Sequence, residues 1–220
     1  MKQSKALTVI LAIVLALVLL TFSIAAPILC RPFYYAHIEP LGLEEYTGLT
    51  WEEIKTAYNE MLDYCLGAEE FSTGVLKWSE SGKDHFTDVR VLFLMDLKWL
   101  AFGVIWLIGI LIDMKISGRR TAPLAGRGPL FWAGAGLAII FLIVGGLAAL
   151  DFDRAFTVFH TIFFPGKDNW LFDPRTDEII NILPQEFFMH CAILILAILI
   201  LGCVIFIVMD FVGKRRQCSS

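Results

Sequence analysis

Apolar positions crowd into four stretches of the chain, about 6–29, 91–112, 129–150 and 189–212, with the polar positions gathered between them. Each stretch holds about 22 residues or more, and at about 1.5 Å per residue that spans a hydrocarbon core of about 30 Å. The pattern predicts an all-α membrane protein with four transmembrane helices, organised as a single membrane domain over residues 1–220. The first stretch is longer than the roughly 7–15 apolar residues of a signal-peptide core. Leu29 also precedes Cys30, where a lipoprotein signal needs a small residue. The stretch is therefore read as an uncleaved helix.

The intervening segments, about 30–90 and 151–188, carry patterns of their own. Thr50-Trp51-Glu52-Glu53 fits a capping box. Ile54, Tyr58, Met61 and Tyr64 or Cys65 then recur at helical spacing, and Gly67 can close that helix. Its polar face is acidic, which favours packing on protein over anionic lipid. Residues 71–83 read as loop or a short hairpin. Asp84 is a candidate N-cap for a helix from about 85 into the second stretch. Residues 151–164 read as a helical continuation of the third stretch, ended by Pro165-Gly166. A polar and aromatic loop follows, and Pro184 suits the first turn of the last helix. Gly134, Gly136, Gly145 and Gly146 in the third stretch indicate close helix packing.

Charge then orients the chain. The two long segments hold 19 of the 22 acidic residues. Lys2, Lys5, Lys115, Arg119, Arg120, Arg127, Lys214, Arg215 and Arg216 lie in the three short segments. By the positive-inside rule both termini are cytoplasmic and the two long segments are extracytoplasmic. Hydrophobic residues make up 57% of the chain, charged residues 18%, and the mean hydropathy is +0.69. A soluble chain has about 45–50% apolar residues. These values exclude an ordinary soluble enzyme and a disulfide scaffold. The net charge of −4 gives no footprint for nucleic acid.

Five cysteines and four histidines are few enough to weigh singly. Cys30 and Cys65 face outward and can pair. Cys191 and Cys203 read as buried free thiols, and Cys218 is not placed as a prenylation box. His37 reads as a surface loop residue and His190 as a packed or interfacial one. His85 stands at the expected helix start, where the positive dipole end disfavours its imidazolium form. At about 100° per residue, His85, Asp88, Leu92, Asp96 and Trp99 share a face. Asp88 is placed to orient His85. Asp96 is an ionisable group at membrane depth and a functional candidate by default. His160 follows Asp153 by two turns on one face. Each long segment thus brings one histidine with one aligned carboxylate.

No His-Glu-x-x-His, Gly-x-Ser-x-Gly or Walker loop is present, and the histidine spacings are not a metal-ligand motif. No metal or other cofactor is expected. Ser117 lacks the glycine two residues earlier that an intramembrane serine protease would place there.

His85-Phe86-Thr87-Asp88-Val89 resembles the His-x-x-Asp-Val element of the bacterial lipoprotein intramolecular transacylase family. Phe159-His160-Thr161-Ile162-Phe163-Phe164-Pro165-Gly166, Trp170-Leu171-Phe172-Asp173-Pro174, Asp177 to Ile180 and Leu183-Pro184-Gln185-Glu186-Phe187-Phe188 resemble that family's second outer segment. Residues 40–80 carry little to match.

The resemblance implies a multi-pass enzyme of the Gram-positive bacterial cell membrane, active at the extracytoplasmic face. Its substrates would be diacylglyceryl-modified lipoproteins held in membrane lipid. It would move the sn-2 acyl chain to the α-amino group of the same cysteine, giving a lyso-form N-acyl lipoprotein. The family's two key histidines fall on His85 and His160. One would take the amine proton; the other would protonate the sn-2 alkoxide or steady the oxyanion. The sequence leaves the order open, with the helix-start position favouring His85 as base, and a covalent acyl-histidine is also compatible. Asp88 and Asp153 would orient the rings. Trp170 and Phe172 would line the lipid entrance, and Arg154 and Asp173 are further supporting candidates. Two other readings remain at this stage. One is a non-enzymatic four-span accessory protein that binds a partner through its outer segments. The other is a transporter using Asp96. Oligomeric state is not legible.

Overall fold

The computed structural model describes residues 3–218, and the side chains through Lys214. Lys2 lies outside the described residues, as do the side chains of Arg215, Arg216 and Cys218. Helices dominate: α1 (Lys5–Leu29), α2 (Arg31–Ile38), α3 (Leu43–Thr47), α4 (Trp51–Cys65), α5 (Glu80–Ser117), α6 (Pro129–Leu150), α7 (Phe152–Phe163) and α8 (Gln185–Cys218). Two-residue strands β1 (Gln3–Ser4) and β2 (Arg120–Thr121) pair in parallel, and Glu178–Ile182 forms a 3-10 helix. Helices α1, α5, α6 and α8 are long and apolar enough to cross a membrane. Each contains one of the four apolar stretches.

The chain divides into two compact units. The first comprises residues 1–24, 97–149 and 194–220. Its core is Leu19, Leu137, Leu199 and Cys203. Close approach is bought with missing side chains. A Cβ on Gly134 would sit 2.7 Å from the Cys203 carbonyl oxygen, and one on Gly202 would sit 2.4 Å from Leu19. Gly145 packs against Leu196 in the same way, whereas Gly136 and Gly146 face open space. Only half of the expected glycine contacts therefore exist. At one end of this unit, β1 pairs with β2, and Thr8 donates to the Ala122 carbonyl at 2.6 Å. Asp210 accepts from Gly128 N at 2.9 Å, and Lys214 donates to the Gly126 carbonyl. The start of α1, the basic loop and the late turns of α8 thus meet at one end.

The second unit comprises residues 25–96 and 150–193. The Tyr34 and Tyr58 rings stack at 3.7 Å with Phe187 edge-on, and Tyr34 donates to the Ile182 carbonyl at 2.8 Å. Ile38, Ile54, Ile179 and Ile182 are fully buried around them. The capping box of α4 forms as expected: Thr50 accepts from Glu53 N, and the Glu53 carboxylate accepts from Thr50 N. The face of Ile54, Tyr58, Met61, Tyr64 and Cys65 is the buried one.

Four local expectations are corrected. Helix α5 begins at Glu80, so Asp84 lies inside it and is not its N-cap. Ser79 caps instead, accepting from Gly82 N at 3.0 Å. Helix α7 is separate from α6: Asp151, in extended conformation, breaks the run and accepts from Arg154 N as an N-cap. His37 lies in α2 rather than a loop, half-buried, with Nδ1 donating to the Phe33 carbonyl. Cys30 and Cys65 are not paired: Cys30 is exposed, and Cys65 is buried against Met61 and the Phe86 carbonyl.

Candidate active site

Helix α5 carries His85 in its second turn, and α7 carries His160 in its last. Both belong to the second unit. Their ring centroids lie 5.9 Å apart with the planes 29° from parallel. Both side chains are nearly sealed, at 5% and 7% exposure. The enclosure is aromatic. Phe164 and Phe172 stand edge-on to His85 at 4.9 and 5.4 Å. Trp170 stacks on His160 at 4.5 Å, and the Phe156 ring lies 4.2 Å from it.

The location of α5 is set at its start. Asp177, itself buried, accepts from Ser79 N at 2.8 Å and from the Ser79 hydroxyl. Lys77 and Glu178 exchange backbone and side-chain hydrogen bonds beside it. A Cβ on Gly82 would collide with Asp177 Oδ1 at 2.1 Å, so only glycine lets the carboxyl group reach Ser79. Further along, Tyr64 hydrogen-bonds Thr87 and Arg90 donates to the Ala68 and Gly67 carbonyls.

Each ring has a different polar surrounding. His160 Nδ1 lies 2.8 Å from the Phe156 carbonyl. A carbonyl only accepts, so Nδ1 carries the proton and Nε2 keeps its lone pair. Asp153 plays no part in this: it accepts from Gln185 and is exposed. Asp88 is likewise not hydrogen-bonded to His85. Lys167 donates to both its oxygens at 2.6 and 2.7 Å, and Asn169 Nδ2 donates to Oδ2 at 3.2 Å. Lys167 and Asn169 are polar neighbours of the site that sequence spacing did not single out. The one available signal was their place in the loop between His160 and Trp170.

Burial is the first cause that lowers the His85 pKa, to about 4, and the neighbouring His160 adds to it. Asp88 and Asn169 oppose the shift without cancelling it. The helix-start dipole is not needed to account for it. Burial also lowers His160, against the opposing Phe156 carbonyl. Burial would raise Asp88, but its hydrogen bonds to Lys167 and Asn169 and the Lys167 charge win, and its pKa is lowered. Near pH 7 the site thus holds two neutral imidazoles beside a paired carboxylate. Two neutral bases in a dry aromatic enclosure can move a proton at small electrostatic cost, since charge forms only transiently.

Of the remaining candidates, Trp170 and Phe172 are in the enclosure. Asp173 turns away and pairs with Arg175, which holds its carboxyl at about 2. Arg154 is exposed, and its side chain makes no hydrogen bond to either ring. Asp96 is half-buried in α5, and its Oδ2 has no hydrogen-bond partner among the described residues. Among the described residues no cluster of three or more His, Cys, Asp or Glu is arranged to hold a metal ion.

A family model for the lipoprotein intramolecular transacylase Lit matches residues 9–188. The membrane-integral Lit structure from Bacillus cereus superimposes with a TM-score of 0.87 at 22% identity, over 98% of this chain and 97% of that one. A His-to-Arg variant of that protein gives a TM-score of 0.78 at 25% identity, over 98% and 94%. An uncharacterised protein of Aquifex aeolicus is 26% identical over 158 residues, covering 68% of this chain and 66% of its own length.

Proposed function

The chain belongs to the lipoprotein intramolecular transacylase family, and on that premise we propose that His85 and His160 are its catalytic pair. It is a multi-pass membrane acyltransferase. The reaction moves the sn-2 acyl chain of a diacylglyceryl-cysteine lipoprotein onto the α-amino group of the same cysteine. The amine nitrogen attacks the ester carbonyl carbon. The new C–N bond forms, the sn-2 C–O bond breaks, and the proton lost by nitrogen ends on the sn-2 oxygen. Nothing else enters or leaves, so the product is an isomer of the substrate. Both reacting groups sit on one molecule, and proximity supplies much of the rate.

What the protein adds is proton handling and shelter from water. The observation that carries this reading is the facing of two buried neutral imidazoles 5.9 Å apart inside a ring of Phe and Trp side chains. The free α-amine has a pKa of about 7.7–8.0, and its proton becomes far more acidic as nitrogen attacks the carbonyl, so a weak base suffices. His160 Nε2 is a resting proton acceptor by virtue of the Phe156 carbonyl. The proton taken up there is then delivered to the leaving oxygen, directly or by way of the neighbouring ring. No enzyme nucleophile is required, and Cys65, whose thiol burial pushes up to about 12, is unsuited to be one.

The second unit is placed on the extracytoplasmic side and both termini in the cytoplasm, on the charge asymmetry of the loops. The gathering of the α1 start, the basic loop and late α8 at one end supports a shared side for those three. The test is mass spectrometry of a lipoprotein's N-terminal lipopeptide, co-expressed with this protein in a host that leaves the amine free. Wild type is expected to shift one acyl chain to nitrogen at constant mass, and His85→Ala and His160→Ala are not. A free amine with well-expressed wild type would overturn the reading.

A further inference from the structure

Two buried polar atoms at the catalytic pair are without a hydrogen-bond partner among the described residues: His85 Nδ1 and Asn169 Oδ1. One is a ring nitrogen able to carry a proton, the other an amide oxygen able only to accept. The amide is not free to turn. Its nitrogen donates to Asp88 Oδ2, and Asp88 is held through both oxygens by Lys167. A carboxylate accepts only from the NH2 end, so Asn169 must present its oxygen away from Asp88. Asp88 lies one turn from His85 on α5, so its hydrogen bond to Asn169 brings the amide beside that ring, where it favours the protonated imidazole. Leaving two complementary buried atoms unmatched is costly, because neither recovers the hydrogen bond it gave up to water.

We infer that Asn169 is a positioning residue: a small shift of ring or amide lets its Oδ1 accept from His85 Nδ1–H, which fixes that tautomer and leaves His85 Nε2 as the working lone pair. The arrangement is the counterpart of the Phe156 carbonyl on His160. Both rings then offer Nε2 to the substrate, one fixed by a backbone carbonyl and the other by the chain Lys167–Asp88–Asn169. Asp88 still governs His85, but through Asn169 and not by direct contact. The catalytic importance of this tautomer rests on the transacylase reading; the tautomer itself does not.

The test uses the full-length protein in detergent with 15N-labelled histidine, because nitrogen shifts distinguish the two neutral tautomers without any substrate. Wild type should show His85 as the Nδ1–H form. Asn169→Leu should move it toward the Nε2–H form, leave the His160 signals unchanged, and lower kcat at least about tenfold with KM little altered. Asn169→Asp keeps an acceptor and should retain the Nδ1–H tautomer, while its negative charge moves the His85 titration to higher pH. An Nε2–H wild type, or an Asn169→Leu variant with unaltered His85 nitrogen shifts, would overturn the inference. Unchanged His160 signals guard against mistaking unfolding for a tautomer change. Absence of acyl migration in wild type, with the tautomer results as expected, would instead count against the transacylase reading alone.

Discussion

The second unit contains two pairs of facing histidines, and only one is built as a site. His37 and His190 have ring centroids 4.9 Å apart, closer than the 5.9 Å of His85 and His160. His37 is even tied to the Phe33 carbonyl one turn back, as His160 is tied to Phe156. The difference lies in the surroundings. His37 and His190 are half-buried, among Phe33 and Phe187. Among the described residues, the Phe33 carbonyl is the only protein group hydrogen-bonded to those two rings. His85 and His160 are sealed and stand beside the chain of Lys167, Asp88 and Asn169. Nearness of two imidazoles therefore does not tell the two pairs apart. Burial and an ordered polar backing do.

The sharpest way to break that contrast is to truncate each pair in turn. His85→Ala and His160→Ala should each cost about 10²–10⁴-fold in acyl migration, the usual worth of a positioned acid or base. His37→Ala and His190→Ala should stay within about tenfold. The lipopeptide mass assay, normalised to protein level, checks all four. Equal losses at both pairs would erase the distinction.

Next in size is the polar backing. Asp88→Ala leaves Lys167 and Asn169 without their acceptor and removes a negative charge from beside His85. It should slow migration by about tenfold and lower the His85 pKa further, since Asp88 now raises it. A proton NMR titration of the C2–H signals reads the second effect.

The same titration in wild type tests dryness directly. The His85 pKa is depressed from 6.5 to about 4, so the ring should stay neutral down to about pH 5. The unfolded chain binds that proton more readily, so stability should be full above pH 6.5 and fall as pH drops toward 4. A His85 titrating near 6.5 would mean the enclosure is wet.

Asp177→Ala acts on the frame and not on the rings. Losing the acceptor at Ser79 should cost about 1–3 kcal/mol, read as a lower Tm. Smallest of all, Asp173→Ala and Arg154→Ala should change migration less than about twofold, because neither reaches a ring.

The sequence revealed what is local and apolar. The four membrane helices, the Thr50–Glu53 capping box and the buried face of α4 follow from composition and spacing within a few turns. The histidine pair was legible because only four histidines exist and two sit on matching segments. The orienting groups were not. Spacing pointed to Asp153 for His160, yet the carbonyl of Phe156 does that work, and a backbone atom leaves no mark in composition. Spacing put Asp88 on the face of His85, but Lys167 and Asn169, about 80 residues later, claim its oxygens. The start of α5 was misplaced for the same reason. Ser79 looks like an ordinary loop serine until Asp177, 98 positions away, fixes it. His37 reads as a surface residue because nothing nearby in the chain announces His190.

The Ser79–Asp177 clasp also sets a timetable for biosynthesis. Chains are made from the N-terminus at about 5–20 residues per second. Some 98 residues separate the serine from its carboxyl partner, so roughly 5–20 s pass between their syntheses. During that interval α5 can enter the membrane with its first turn uncapped and His85 unsheltered. The aromatic enclosure of the proposed catalytic pair is then among the last parts of the molecule to close. A nascent chain halted before Asp177 would carry most of its membrane helices and no enclosed active site.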